Sequence, residues 1–147
     1  MAFLQWSLTC RDVSVDNQNN ITYRDAIEVI KTEEFPVELP PAIQVCMLWR
    51  RDDLSEGETS QFRLVIEDDE ENQLAEMNPI VVDLRDYERV RTNNVNPPMK
   101  IEEPTTIWFG IEKRNNEDED WKRVWSLPVE LRPIEVEVDR EEPKRLT

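Results

Sequence analysis

Histidine is missing from the 147-residue chain, and glycine occurs only twice, at Gly57 and Gly110. Without histidine the protein lacks the commonest general base and metal ligand of enzymes. With two isolated glycines it cannot form the glycine-rich loop that holds nucleotide phosphates. No serine lies in a nucleophile-elbow sequence. We therefore expect no catalytic residues, no cofactor and no enzyme activity.

Cysteine and long apolar runs are also scarce. Cys10 and Cys46 are too few for a disulfide scaffold, and both lie in apolar runs where a free cysteine packs as a small core residue. A bridge between them is the alternative if the chain is secreted. The first ten residues lack the features of a signal peptide, and no run approaches the roughly 20 apolar residues of a membrane span. The sequence predicts a cytoplasmic protein without membrane contact.

The surface charge is predominantly negative. Acidic residues outnumber basic ones, 33 to 18, and the formal net charge is -15. Such a surface repels nucleic-acid phosphates and anionic membranes, so we expect no direct nucleic-acid binding. It suits a basic protein partner, and it could imitate the charge of DNA. The alternative is that the charge serves solubility alone.

Alternation of apolar and polar residues is the dominant pattern and predicts β-strands. Leu4, Trp6, Leu8 and Cys10 share one face of a first strand. Further alternating runs include Phe62 to Ile66, Ile80 to Leu84, Ile107 to Ile111, and an edge strand at Ile134, Val136 and Val138. Their spacing is typical of a β-sandwich. We predict one domain over residues 1–138 and a flexible charged tail over residues 139–147.

Two stretches need interpretation. Residues 21–30 (ITYRDAIEVI) could contain two helical turns, but their β-branched residues favour a single strand. The stretch FPVELPPAIQVCMLW, from Phe35 to Trp49, places three prolines before an apolar run. It could form a ligand groove, but prolines that end one strand and orient the next are the favoured interpretation. Its second half is apolar on both faces, which is typical of a central strand.

Residues 85–106 interrupt the alternation. From Arg85 to Lys100 this segment has four basic and two acidic residues, Arg89 and Arg91 among the basic ones. Long irregular loops in small domains are often functional. The sequence predicts an irregular loop that binds a partner or merely connects two sheets.

Five tryptophans supply candidate anchors. Trp6 and Trp49 are expected on core-facing stripes, whereas Trp108 points to the opposite face of its strand. Trp121 and Trp125 flank a basic pair that contains Arg123. Exposed aromatic residues beside charge are typical of an interface centre, and a second layer of core packing is the alternative. The predicted partner-binding residues are Trp108, Trp121, Trp125, Arg123, Arg89 and Arg91.

Two acidic turns, residues 67–71 and 117–120, could bind calcium if their carboxylates converge. Neither has the spacing or the glycine of a known calcium loop. We therefore expect solvated hairpin tips and no metal site.

The order of these features resembles a family of small stand-alone bacterial β-sandwich proteins of unknown function. The resemblance rests on Cys10-Arg11-Asp12 ending a first strand, on FPVELP leading into VCMLW, and on SLPVEL at 126–131. It covers roughly residues 4–131. Family members carry glycines where this chain has DNQNN and EDDEEN. The resemblance implies an immunoglobulin-like antiparallel β-sandwich of about seven to eight strands without known catalytic residues, and no function.

These observations favour a non-enzymatic protein–protein interaction module, an adaptor or assembly subunit. It would dock a partner through the C-terminal hairpin, the 85–106 segment or a sheet edge. This hairpin is predicted where the run Ile107 to Ile111 pairs with WKRVWSLPVEL (121–131) across the turn NNEDED. The alternative is an acidic inhibitor that imitates nucleic acid and blocks a basic protein. A calcium-dependent module is a third hypothesis.

Overall fold

A computed structural model describes residues 2–51 and 59–134. The regular secondary structure within these residues consists of β-strands alone. The strands are β1 (Ala2–Val15), β2 (Ile21–Ala26), β3 (Val29–Thr32), β4 (Val37–Leu39), β5 (Gln44–Arg51), β6 (Thr59–Glu67), β7 (Gln73–Glu76), β8 (Ile80–Asp83), β9 (Arg89–Val95), β10 (Met99–Ile101), β11 (Thr105–Arg114) and β12 (Lys122–Pro133). The all-β prediction is confirmed. The described residues form twelve strands, more than the seven or eight expected, because the 21–30 segment is divided into two strands and strands also form within 85–106.

Two main sheets are present. The first sheet has the order β2-β1-β5-β9, and all its neighbours are antiparallel. The second has the order β3-β12-β11-β6-β7, and β8 also pairs with β6. Strands β4 and β10 form a separate pair. Among the described strands one pairing is parallel, that of β3 with β12. The immunoglobulin-like layout stays a prediction.

The core lies between the two sheets. Val45, Met47 and Trp49 of β5 belong to the same buried cluster as Phe62 of β6 and Phe109 of β11. The rings of Trp49 and Phe62 stack across the interface, with centroids 5.4 Å apart. Burying each such side chain stabilises the fold by roughly 1.5–3 kcal/mol. The sandwich prediction is confirmed by this shared core.

Strand β5 is central, as its apolar faces predicted. It pairs with β1 on one side and β9 on the other. Its residues from Val45 to Trp49 are all buried, those of the outer face included. Pro40 and Pro41 lie between β4 and β5, so these prolines separate two strands, as the favoured interpretation predicted.

The predicted core-facing stripe of β1 is wrong beyond Leu4. A bulge between Leu4 and Trp6 shifts the register, so that Leu4 lies opposite Trp49 whereas Trp6 lies opposite Leu48. A bulge reverses the faces that later residues occupy. Trp6 consequently lies on the outer face of the first sheet, as do Leu8 and Cys10.

The single strand predicted at 21–30 is divided in two. Strand β2 pairs with β1 in the first sheet, and β3 pairs with β12 in the second. At the crossing point Ile27 is buried; its amide donates to Thr9 O, and its carbonyl accepts from Thr9 Oγ1. Each half of this segment therefore belongs to a different layer.

The irregular loop predicted at 85–106 is also wrong. It contains β9, β10 and the start of β11. Because β9 is in the first sheet and β11 in the second, the segment does connect two sheets. Asn96 anchors it: its buried Oδ1 accepts hydrogen bonds from the amides of Ala42 and Ile43 at 2.9 and 2.8 Å.

Several predictions concern residues that the structure does not describe. Val136, Val138 and the tail at 139–147 lie outside the described ranges. Ile134 is described and is not part of a strand, although its amide donates to Thr32 O. Within the described residues there is no helix long and apolar enough to cross a membrane.

Candidate interaction surfaces

The six predicted partner-binding residues lie in three places. Trp108, Trp121 and Arg123 share the outer face of the second sheet. Trp125 lies where β12 passes the beginning of β1. Arg89 and Arg91 lie on β9, at the edge of the first sheet. The structure therefore does not bring the six together, and each group has different neighbours.

Trp108 is held by an internal contact. Its indole Nε1 donates to Asp69 Oδ1 at 3.1 Å, and the other oxygen of Asp69 accepts from the amide of Thr106. The side chain is half-buried opposite Glu67 and Pro128. These contacts link the β6–β7 turn to β11, which gives Trp108 a structural role.

Trp121 contacts two guanidinium groups. Arg63 Cζ and Arg114 Cζ are 4.6 and 4.2 Å from the ring centroid. Arg63 also pairs with Glu112 at 2.8 Å, and Arg114 donates to Gln61 at 2.7 Å. Cation–π contacts stabilise by roughly 0.5–1 kcal/mol at exposed sites. The indole therefore packs on its own sheet, as the second-layer alternative described.

Arg123 takes part in an ion-pair network on the same face. It pairs with Glu112 at 3.2 Å and with Glu67 at 3.4 Å, and it donates to Ser126 Oγ. Its guanidinium covers Gly110, where a β-carbon would collide with it. Gly110 is thus the residue that lets this arginine lie flat across the strand, and no sequence pattern indicated it.

Trp125 differs from the other two hairpin tryptophans because it is 55% exposed. A bulge in β12 leaves Val124 without a cross-strand partner in β11, because Arg123 and Trp125 pair with the consecutive residues Glu112 and Ile111 of β11. Val124 is 37% exposed. Both line a cavity of about 420 Å³ together with Phe3 and Leu4 of β1. Phe3 is itself 41% exposed. We call Phe3, Val124 and Trp125 the apolar patch.

The apolar patch lies along an incomplete strand edge. On the side of β12 away from β11, β3 is the one strand among the described residues that pairs with it, and it covers only Glu130–Pro133. A second cavity, of about 510 Å³, lies farther along between β1 and β12 and is lined by Leu8, Leu127 and Pro128 among others.

Arg89 and Arg91 lie on the outer face of the first sheet beside a third arginine. Arg50 of β5 lies directly opposite Arg89, and Leu48 lies opposite Arg91. Within residues 2–51 and 59–134, none of these three arginines has a carboxylate within ion-pair distance, whereas Arg24, Arg63, Arg85, Arg123 and Arg132 each have one. We call Arg50, Arg89 and Arg91 the arginine face.

Aromatic residues adjoin the arginine face. The rings of Trp6 and Tyr23 meet edge to face, with centroids 5.4 Å apart. Burial raises the pKa of the Tyr23 hydroxyl, and the nearby Arg91 opposes that shift. Near Tyr23 lie the thiols of Cys10 and Cys46, which are buried and unbridged, with sulfur atoms 3.6 Å apart.

The acidic turn at 67–71 uses its carboxylates locally. Asp68 Oδ1 accepts hydrogen bonds from the amides of Glu70 and Asn72, each at 2.9 Å. The bond from Asn72 is the largest cause that holds the pKa of Asp68 below its usual value. In the described part of the chain there is no group of three or more acidic or cysteine side chains arranged to hold a metal ion.

Comparison with known protein families finds no family that matches this chain, and comparison with characterised proteins finds no match. The proposed resemblance to small bacterial β-sandwich proteins therefore stays a prediction.

Proposed function

We propose that the protein is a non-enzymatic interaction module, an adaptor or assembly subunit, that docks a partner protein through the apolar patch. The observation that carries this proposal is the grouping of three large exposed apolar side chains around one cavity. Aromatic anchors that insert into or beside pockets supply most of the binding energy at protein interfaces. The same proposal places the module in the cytoplasm, without direct contact to nucleic acid or membrane.

Trp125 is the proposed anchor. Of the hairpin tryptophans it alone is largely exposed, since Trp108 and Trp121 are engaged with Asp69 and with two arginines. Basic and acidic side chains also line its cavity, among them Lys113, Arg114, Glu119 and Asp120. A polar rim around an apolar centre is typical of a protein interface. The partner can accordingly carry basic or acidic groups around the apolar site that receives Trp125.

The test is affinity capture from the native cell lysate, read by mass spectrometry at low and high salt. We expect a stoichiometric partner that survives high salt, because apolar docking is only weakly screened. Trp125→Ala should weaken its binding by about 30-fold, as an anchor worth about 2 kcal/mol requires. Tyr87→Ala is the matched control, since Tyr87 is 66% exposed and outside the patch.

Two outcomes would contradict this assignment. Capture that Trp125→Ala leaves unchanged would remove the apolar patch from the interface. Basic nucleic-acid-binding proteins captured only at low salt would favour the alternative, an acidic inhibitor that imitates nucleic acid, because charge imitation weakens steeply with screening.

A further inference from the structure

The arginine face places like charges in direct opposition. Arg50 and Arg89 are cross-strand partners, and Arg91 follows on the same face of β9. Like charges directly opposite each other destabilise a sheet. Arg50 Nε is moreover buried and has no hydrogen-bond partner among the residues that the structure describes. The chain carries 33 acidic residues, yet no described carboxylate compensates these three arginines. Carboxylates from another molecule would relieve this repulsion.

The backbone of β9 is available for pairing on one side. The amide of Arg51 donates to Glu88 O, and the amide of Asn96 donates to Ile43 O. Backbone groups alternate sides along a strand, so the even-numbered residues of β9 face β5. The N–H and C=O groups of Arg89, Arg91, Asn93 and Val95 therefore point away from β5, where β9 is the last strand of its sheet in the described chain.

We propose that β9 receives an extended acidic segment of a partner protein as an added strand. The segment would bond to the outward backbone groups of Arg91 and Asn93. Its carboxylates, at alternate positions, would lie across from Arg89 and Arg91, since cross-strand neighbours share a face. Strand addition to an exposed sheet edge is a common way to bind peptides. This surface is separate from the apolar patch, so either proposal can fail alone.

A protein segment fits better than nucleic acid. The net charge of -15 repels a long polyanion, whereas a short acidic strand approaches only the local arginine face. The free edge also offers both N–H and C=O groups, which a peptide backbone can pair with alternately, whereas a phosphate can only accept hydrogen bonds from the N–H groups.

The experiment selects peptides of about ten residues, the upper end of usual strand lengths, from a random displayed library on the full protein. We expect enrichment of peptides with Asp or Glu at alternate positions. The double variant Arg89→Gln/Arg91→Gln should raise their Kd about tenfold, as two cross-strand charge pairs predict. Arg24→Gln is the matched control, because Arg24 lies on the other edge of the same sheet and pairs with Asp12. It should leave the Kd unchanged.

Asn93→Pro tests the strand geometry separately. It removes an N–H that points away from β5, and proline is tolerated on edge strands at such positions. We expect a large loss of peptide binding with the β5–β9 ladder intact. If this variant fails to fold, slowed hydrogen exchange of the Arg91 and Asn93 amides in the wild-type complex replaces it.

Three results would overturn the proposal. The first is enrichment of peptides without acidic residues. The second is peptide binding that requires the arginines but is not weakened by Asn93→Pro and does not slow hydrogen exchange of the Arg91 and Asn93 amides. The acidic peptide would then bind without adding a strand. The third is tighter binding of a single-stranded oligonucleotide than of any selected peptide in the same assay.

Discussion

At the scale of single residues, asparagine and acidic residues perform the tasks that glycine performs in most hairpins. Asn19 and Glu71 have positive φ angles of 66° and 64°. Each lies in a turn closed by an aspartate, Asp16 or Asp68, whose Oδ1 accepts two backbone amides. Both turns read Asp-x-x-x-Asn. The composition predicted that Asn and Asp would form the turns, but this shared pattern became evident only from the hydrogen bonds.

Glu71→Gly should raise the free energy of unfolding by about 0.5–1 kcal/mol. A residue with a β-carbon pays roughly 1–2 kcal/mol in the left-handed region, and the greater flexibility of glycine in the unfolded chain offsets part of the gain. Asn19→Gly should gain less, because asparagine tolerates this conformation. Urea unfolding measures all these changes. Glu70→Gly, next to the strained position, should instead destabilise; equal effects at positions 70 and 71 would contradict the argument.

At the scale of strands, the pattern of apolar residues predicted the strands that have one apolar and one polar face, and the strand that is buried on both faces. It located β5, β6, β8 and the β11–β12 hairpin. It failed where a bulge reverses the faces, as in β1 after Leu4. It also failed at β9, because an edge strand that faces solvent on its outer side lacks an apolar pattern. There Arg89, Arg91 and Asn93 alternate with Val90, Thr92 and Asn94.

The candidate surfaces were only partly predictable for the same reason. Exposure of Trp125 depends on its place beside the beginning of β1, a contact between residues distant in sequence. Phe3, Val124 and Arg50 could not be selected from the sequence, because their neighbours come from other strands. Pro128 lies inside β12, where the sequence alone does not explain a proline. The amide of Glu130 points toward β3 and donates to Glu28 O, so the nitrogen of Pro128 points the same way, at a position before β3 begins. A proline fits inside β12 because no ladder bond is lost there.

The buried contact between Cys10 of β1 and Cys46 of β5 predicts that the stability of the fold depends on pH. Burial, with a further contribution from Cys10, raises the pKa of Cys46 from 9.0 to about 12. Between pH 9 and about 12 the unfolded chain therefore releases a proton that the native thiol keeps, so the free energy of unfolding falls as pH rises. The contribution of Cys46 should lower the free energy of unfolding by about 1 kcal/mol between about pH 9 and 10. Urea unfolding of the wild type and of Cys46→Ala measures it, and parallel pH profiles would contradict it.

At the scale of the whole molecule, charge is unevenly distributed. The outer face of the second sheet balances Arg63 and Arg123 against Glu67 and Glu112. The arginine face of the first sheet is locally basic. Excess acidic charge is concentrated in turns and connections, such as Glu33, Glu34 and Glu117. The apolar patch and the arginine face therefore differ in character, one apolar and one basic, on an acidic background.

This distribution predicts that salt stabilises the fold. A net charge of -15 destabilises the compact state by self-repulsion, and salt screens it. The ion pairs that salt also weakens are mostly exposed, and such pairs contribute only about 0–1 kcal/mol each. We therefore expect the free energy of unfolding to rise by on the order of 1 kcal/mol between low and moderate KCl.

Urea unfolding at several KCl concentrations measures this rise, and a charge-reduced variant is its control. Glu33→Gln, Glu34→Gln and Glu117→Gln together remove three exposed negative charges that have no ion pair with the described residues. The variant should be more stable than the wild type at low salt and should gain less from KCl. A wild-type stability that falls as KCl is added would mean that the ion pairs around Arg63 and Arg123 outweigh the repulsion. In that case the outer face of the second sheet, rather than the acidic turns, would dominate the electrostatics of the molecule.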